Sequence, residues 1–209
     1  MREKVRARLP ERGSDASAVL EELVELCDPG LMSMAGPRFY GWVIGASALP
    51  GVAADLMVSA WGQNNGYQTP TPAVSALEEV VEGWLSEILD LPRQASIGFT
   101  TGATVANGIC LAAARTRVLL DAGWDPDADG LFGAPPVEVL LGADAHSSIS
   151  SALQLIGFGY NRVTRIATDG QGRMQADALQ GALAAGRGPR IVILQAGQVN
   201  TGCFDDFAT

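Results

Sequence analysis

Apolar residues keep two rhythms along this chain, and the rhythm changes near residue 96. Upstream the spacing is helical. Val19, Leu20, Leu23, Val24 and Leu26 predict a helix over residues 14–26, with Ser14 or Ser17 placed to cap it and Asp28-Pro29-Gly30 to stop it. The stretch "MSMAGPRFYGWVIGASALP" is broken by glycine and proline and reads as ordered loop. A helix over residues 52–61 follows, then the loop "GQNNGYQTPTP". Pro72 suits the first turn of a third helix. Val74, Leu77, Val80, Val81, Trp84, Leu85 and Ile88 give it one apolar face, and Leu91-Pro92 closes it.

Downstream, short apolar runs alternate with helical ones. Strands are predicted at "SIGFT", "VEVLLG", "NRVTRIAT" and "RIVILQAG". Helices are predicted at "TVANGICLAAARTRVLLDA", "SSISSALQLIG" and "ADALQGALAAG". Alternating β and α with short apolar strands predicts an α/β fold whose mostly parallel sheet is covered on both faces. The last residues, "FDDFAT", read as the start of a further crossover, with Asp205 or Asp206 as a helix cap. On that reading the sheet is incomplete. The division expected is a helical, loop-rich segment over residues 1–95 and a partial α/β domain over 96–209.

Composition removes several classes of function. The chain has 209 residues, 47% of them hydrophobic, enough for a core. No uninterrupted apolar stretch reaches the roughly 18 residues of a membrane span. The opening "MREKVRARLPERGSDAS" is basic without an apolar h-region, which is not the pattern of a secretory signal. A net charge of −9 argues against nucleic acid, whose phosphates call for clustered Lys and Arg. Cys27, Cys110 and Cys203 lie far apart, with no CxxC, so neither a disulfide framework nor a metal site is expected. Reduced thiols in the cytoplasm are the reading. Two scarcities matter more: one histidine, His146, and one lysine, Lys4.

Three segments follow predicted strands. "GFTTGATVAN" passes from a strand through small residues into a helix. That places the N–H groups of Ala103 and Thr104, and the Thr104 hydroxyl, where an anion such as phosphate can sit. A plain strand–helix turn, with threonine capping, accounts for the same spacing. His146, in "GADAHSSISSALQLIGFG", stands at a strand's carboxyl end, where open α/β sheets bind ligands. It is either structural or a flat ring for stacking on a planar cofactor. "QAGQVNTG" carries Gln198 and Asn200, and Asn200-Thr201-Gly202 also reads as a simple turn.

Together, "TTGATVANGICLAAAR", "LLGADAHSSISSALQLIGFG", "IATDGQGRMQADAL" and "ILQAGQVNTGCFD" resemble the group II pyridoxal-phosphate-dependent decarboxylases, which include the aromatic amino acid and glutamate decarboxylases. Upstream, "GPRFYGWVIGASALPGVAADLMVSAWGQN" and "TPAVSALEEVVEGWLSEILDLP" resemble that family's substrate loop and following helix. The likeness runs from about residue 30 onward and rests on the order and spacing of the motifs.

The resemblance implies a fold-type-I, aspartate aminotransferase-like large domain that binds pyridoxal 5′-phosphate. It implies phosphate contacts at Ala103 and Thr104, and a cofactor-stacking, catalytic role for His146. It implies substrate contacts at Trp42, Val43, Ile44 and Tyr67, with Gln198 and Asn200 in the later loop. Gln198 and Val199 stand where the family often has threonines. It further implies a small amino acid substrate and a homodimer. Family members attach the cofactor to a lysine and hold its ring nitrogen with an aspartate, both downstream of "AGxxNTG". The sequence stops before either, with no "HVDAA"-like motif and no downstream lysine, and Lys4 matches no family position. The expectation is therefore the N-terminal part of a decarboxylase, inactive alone. The alternatives are a non-catalytic decayed subunit, or another fold-type-I enzyme such as an aminotransferase or lyase.

Overall fold

A computed structural model describes residues 10–45, 47–64 and 66–208. Lys4 lies outside them. The chain falls into two compact units, Met1–Ala76 and Leu77–Thr209, with the division inside a helix.

The first unit holds α1 (Ala16–Cys27), a 3-10 turn (Asp28–Gly30), α2 (Leu49–Trp61) and the start of α3 (Pro72–Ile88). Asp15, rather than Ser14 or Ser17, caps α1: its carboxylate accepts the N–H groups of Ser17 and Ala18. A carboxylate there also suits the positive end of the helix. The second helix starts at Leu49, three residues before the expected Val52, because Pro50 fits a first turn whose N–H groups need no partner. Neither α1 nor α2 buries a residue completely; Leu20, Leu23 and Val24 on α1 are all exposed.

The second unit carries α4 (Ala103–Asp121), α5 (Pro126–Asp129), β1 (Glu138–Gly142), α6 (Ser147–Leu155), β2 (Val163–Ile166), α7 (Ala176–Ala185) and β3 (Arg190–Ile193). The strands are parallel, in the order β2-β1-β3. Alternation along β1 sorts the core onto two faces. Val139 and Leu141 join Leu111 of α4 with Ala152, Leu153 and Ile156 from α6 and its exit. Leu140 points the other way, to Ile166 and Met174, with Leu179 of α7 packed beside them. Full burial of a leucine such as Leu140 or Leu153 stabilises the fold by roughly 1.5–3 kcal/mol. The α/β class, the parallel sheet and its cover on both faces are as the sequence predicts.

Two segments depart from expectation. "SIGFT" forms no strand, because no described segment pairs with it. The Ile97 N–H donates instead to the Glu82 carboxylate at 3.0 Å, a side chain replacing a ladder partner. "FDDFAT" opens no helix among the described residues. Phe204 forms an antiparallel bridge with Ala196, and the Asp205 carboxylate accepts the N–H groups of Met174 and Gln195, each at 2.7 Å. Asp205 is thus a buried tie between the turn before α7 and the exit of β3, not a cap.

Candidate functional site

At the carboxyl end of the sheet, the exits of β1 and β3 meet. Beyond Gly142 the chain turns through Ala143, Asp144 and Ala145 into His146, the N-cap of α6. The backbone N–H of His146 donates to Gln195 Oε1 at 3.0 Å, joining the two exits. Gln195 is itself fixed by Asp205 through its backbone. Asp144 accepts the Thr168 hydroxyl at 2.6 Å, which adds the exit of β2.

The His146 ring is held by its own helix. Nδ1 accepts the Ser148 N–H at 3.2 Å and lies 2.9 Å from the Ser148 hydroxyl. That hydroxyl accepts in turn from Asn107 Nδ2, on α4, at 3.1 Å. Ser148 is buried, Asn107 half-buried and His146 exposed. The packing of α4 on α6 sets this geometry: Gly108 and Leu111 face Leu155 and the sheet, and that orientation turns the adjacent Asn107 toward Ser148.

The N-terminus of α4 lies at the same end. Gly102 precedes it, and no side chain of the described residues caps it. The Thr100 hydroxyl donates to Gly102 O, so threonine capping does not account for this turn. The first N–H groups of α4 are left open, with the helix dipole behind them.

Two adjoining cavities open here. One, of about 160 Å³, is walled by Asn107, His146, Ser148, Gln195 and Asp205 among others. The other, of about 240 Å³, brings together Ala103, Asp144, His146, Gln195 and Gln198. Ala103, His146 and Gln198 therefore share one cavity. Thr104 and Asn200 are exposed and line neither of the two. Gln198 Oε1 accepts the N–H groups of Asn200 (2.5 Å) and Thr201 (3.0 Å), so that side chain shapes its own turn as well as facing the cavity. Trp42, Val43, Ile44 and Tyr67 belong to the first unit and are exposed, Trp42 84% so. Trp42 and Val43 have φ of 64° and 54°, a left-handed conformation that is costly for the β-branched valine.

Asn107, Ser148, Gln195 and Asp205 are the site residues that sequence reasoning missed. Asn107 did leave a signal: an amide within the otherwise apolar, small-residue run "VANGICLAAA". Gln195 left another, a polar residue directly after the apolar run "IVIL".

The family model described as the pyridoxal-dependent decarboxylase conserved domain matches residues 1–209. The L-2,4-diaminobutyrate decarboxylase of Rhizobium meliloti (strain 1021) is 31% identical over 201 residues, which are 94% of this chain and 38% of that protein. The aromatic-L-amino-acid decarboxylase of Bos taurus is 31% identical over 214 residues, 94% of this chain and 42% of the relative. The chain thus spans about two-fifths of the length of these relatives. Among solved structures, mouse CSAD superposes with a TM-score of 0.85 at 20% identity, over 98% of this chain and 43% of that one. Oryza sativa TDC, solved with PLP and tryptamine, gives 0.82 at 23% identity, over 98% and 44%. Both share the fold.

Proposed function

The chain belongs to the pyridoxal-dependent decarboxylase family, and from that premise we propose that it forms one side of a pyridoxal 5′-phosphate site in an amino acid decarboxylase. The observation that carries the reading is the shared cavity: Ala103, at the open N-terminus of α4, and His146 wall the same space at the sheet's carboxyl end. The donors fit the group. Open helical N–H groups suit a phosphate, and an exposed imidazole beside them suits a planar ring. The amine for covalent attachment is another matter, since the chain's single lysine is Lys4.

In this reading the backbone N–H groups of Ala103 and Thr104, with the Thr104 hydroxyl, hold the phosphate. His146 lies against the ring and orients it. Gln198 and Asn200 border the substrate's polar end, and Trp42, Val43, Ile44 and Tyr67 are assigned to its side chain by family likeness. When bound, the cofactor supplies an electron sink for the pair left behind as CO₂ departs. The attaching lysine comes from outside these 209 residues. Residues 1–95 act as the helical and substrate-loop segment, and 96–209 as part of the cofactor-binding domain. A small amino acid is the substrate. Apolar faces exposed on α1 and α2 favour assembly as a homodimer. The free thiols Cys27, Cys110 and Cys203 suit the cytoplasm.

Parallel titrations of the chain with pyridoxal 5′-phosphate and with pyridoxal test the proposal. The phosphorylated form should bind more tightly and shift the amide signals of Ala103 and Thr104. Equal affinity for the two, or amide shifts confined to other segments, would overturn it.

A further inference from the structure

The geometry points to Asn107 and Ser148 as positioning residues that lock the His146 ring in the tautomer with its proton on Nε2. A backbone N–H can only donate. The Ser148 N–H, 3.2 Å from Nδ1, therefore requires a lone pair on that nitrogen. The Ser148 hydroxyl, 2.9 Å from the same Nδ1, must then be the donor in that pair. A hydroxyl that gives its proton still has lone pairs, and one of them takes the Asn107 Nδ2 proton at 3.1 Å. The bonds all run one way: Asn107 amide to Ser148 hydroxyl to His146 Nδ1. The proton is thereby confined to Nε2, the nitrogen that this network leaves unused, on a ring that lines both cavities. Neither residue needs to touch a ligand. Each acts through the ring, by fixing its tilt and the nitrogen from which it can give a proton.

The inference deepens the proposed function and rests on it for its purpose, but the tautomer is a property of the free chain. His146 is the only histidine, so its imidazole ¹⁵N signals need no assignment. In ¹⁵N-labelled protein with the imidazole in its neutral form, Nε2 should carry the proton, and Nδ1 should resonate as an unprotonated nitrogen shifted by accepted hydrogen bonds. Ser148→Ala should move the Nδ1 signal toward that of a free unprotonated nitrogen. Asn107→Asp should move it the same way, because a carboxylate only accepts and draws the Ser148 proton to itself. The double variant should add nothing to either, while Ser148→Thr, which keeps the hydroxyl, should restore the native position. A wild-type ring protonated on Nδ1 would overturn the inference outright. So would a Nδ1 signal unmoved by the near-isosteric Asn107→Asp. Failure of cofactor binding with these shifts intact would count against the pyridoxal reading alone.

Discussion

The Asp205 carboxylate accepts the backbone N–H of Gln195 at 2.7 Å, and through Gln195 it holds His146. The carboxylate's other oxygen accepts from Met174 N. Asp205→Asn replaces one acceptor with an amide N–H₂ facing a buried donor. The loss should be about 2–3 kcal/mol, the scale of hydrogen bonds to a charged group. Urea unfolding should report it as a lower midpoint with an unchanged slope. A variant as stable as the parent would mean that the tie is dispensable.

Asp169 gives the turn before α7 a pH dependence. The backbone N–H of Arg173, then that of Gln171, hold its carboxyl below the usual value of 3.8; slight desolvation opposes them, and the Arg173 side chain adds to the lowering. A lowered folded-state value stabilises the turn above pH 3.8, and that contribution is lost as pH falls through the folded-state value. Hydrogen-exchange protection of the Arg173 and Gln171 amides, corrected for intrinsic rates, should therefore decline below that pH. Asp169→Asn should flatten the profile. A parental profile that is already flat would remove the carboxylate from the account.

Much of this was legible locally. His146 and Ala103 could be found because short apolar strands fix where a parallel sheet has its carboxyl end, and loops there carry ligands. What stayed hidden depends on partners remote in sequence. Asn107 and Ser148 meet across 41 positions, and only the packing of α4 on α6 decides it. "SIGFT" has a strand's composition, yet a strand needs a neighbour, and the Glu82 side chain met its N–H instead. Asp205 looked like a cap because acidic residues before an apolar run usually are caps. Its burial against two distant backbone N–H groups has no local signature.

Self-association should follow from the first unit's surface. Leu20, Leu23 and Val24 expose one apolar face of α1, and Leu56, Val58 and Trp61 are exposed on α2. Patches of this kind are rare on monomers. Light scattering should give a mass above the 21.8 kDa of one chain. Leu20→Glu with Leu23→Glu should bring it down. A monodisperse parent at the mass of one chain would refute the homodimer reading.

The 209-residue polypeptide by itself should not turn over. No lysine lies in the second unit, and a pyridoxal cofactor held only by its phosphate and ring lacks the covalent anchor of the family. With pyridoxal phosphate and a panel of amino acids, CO₂ release should equal that of the free cofactor. Release clearly above that background would show that the chain carries a complete site and that the division of labour proposed above is wrong.

Thr104 and His146 should separate phosphate affinity from ring contact. Thr104→Ala removes a hydroxyl at the first turn of α4 and leaves the backbone N–H groups in place. Affinity for pyridoxal 5′-phosphate should fall by about 1–3 kcal/mol, the cost of losing a hydrogen bond to a charged group. Inorganic phosphate should weaken in parallel, because the contact is to the anion. His146→Ala removes the ring proposed to lie against the cofactor, together with the α6 cap from Nδ1. Inorganic phosphate should then bind as before, while affinity for the whole cofactor falls. Calorimetry with the two ligands on the two variants distinguishes these outcomes. Equal losses for both ligands in both variants would mean that the residues act through the general stability of the sheet end and not through separate contacts.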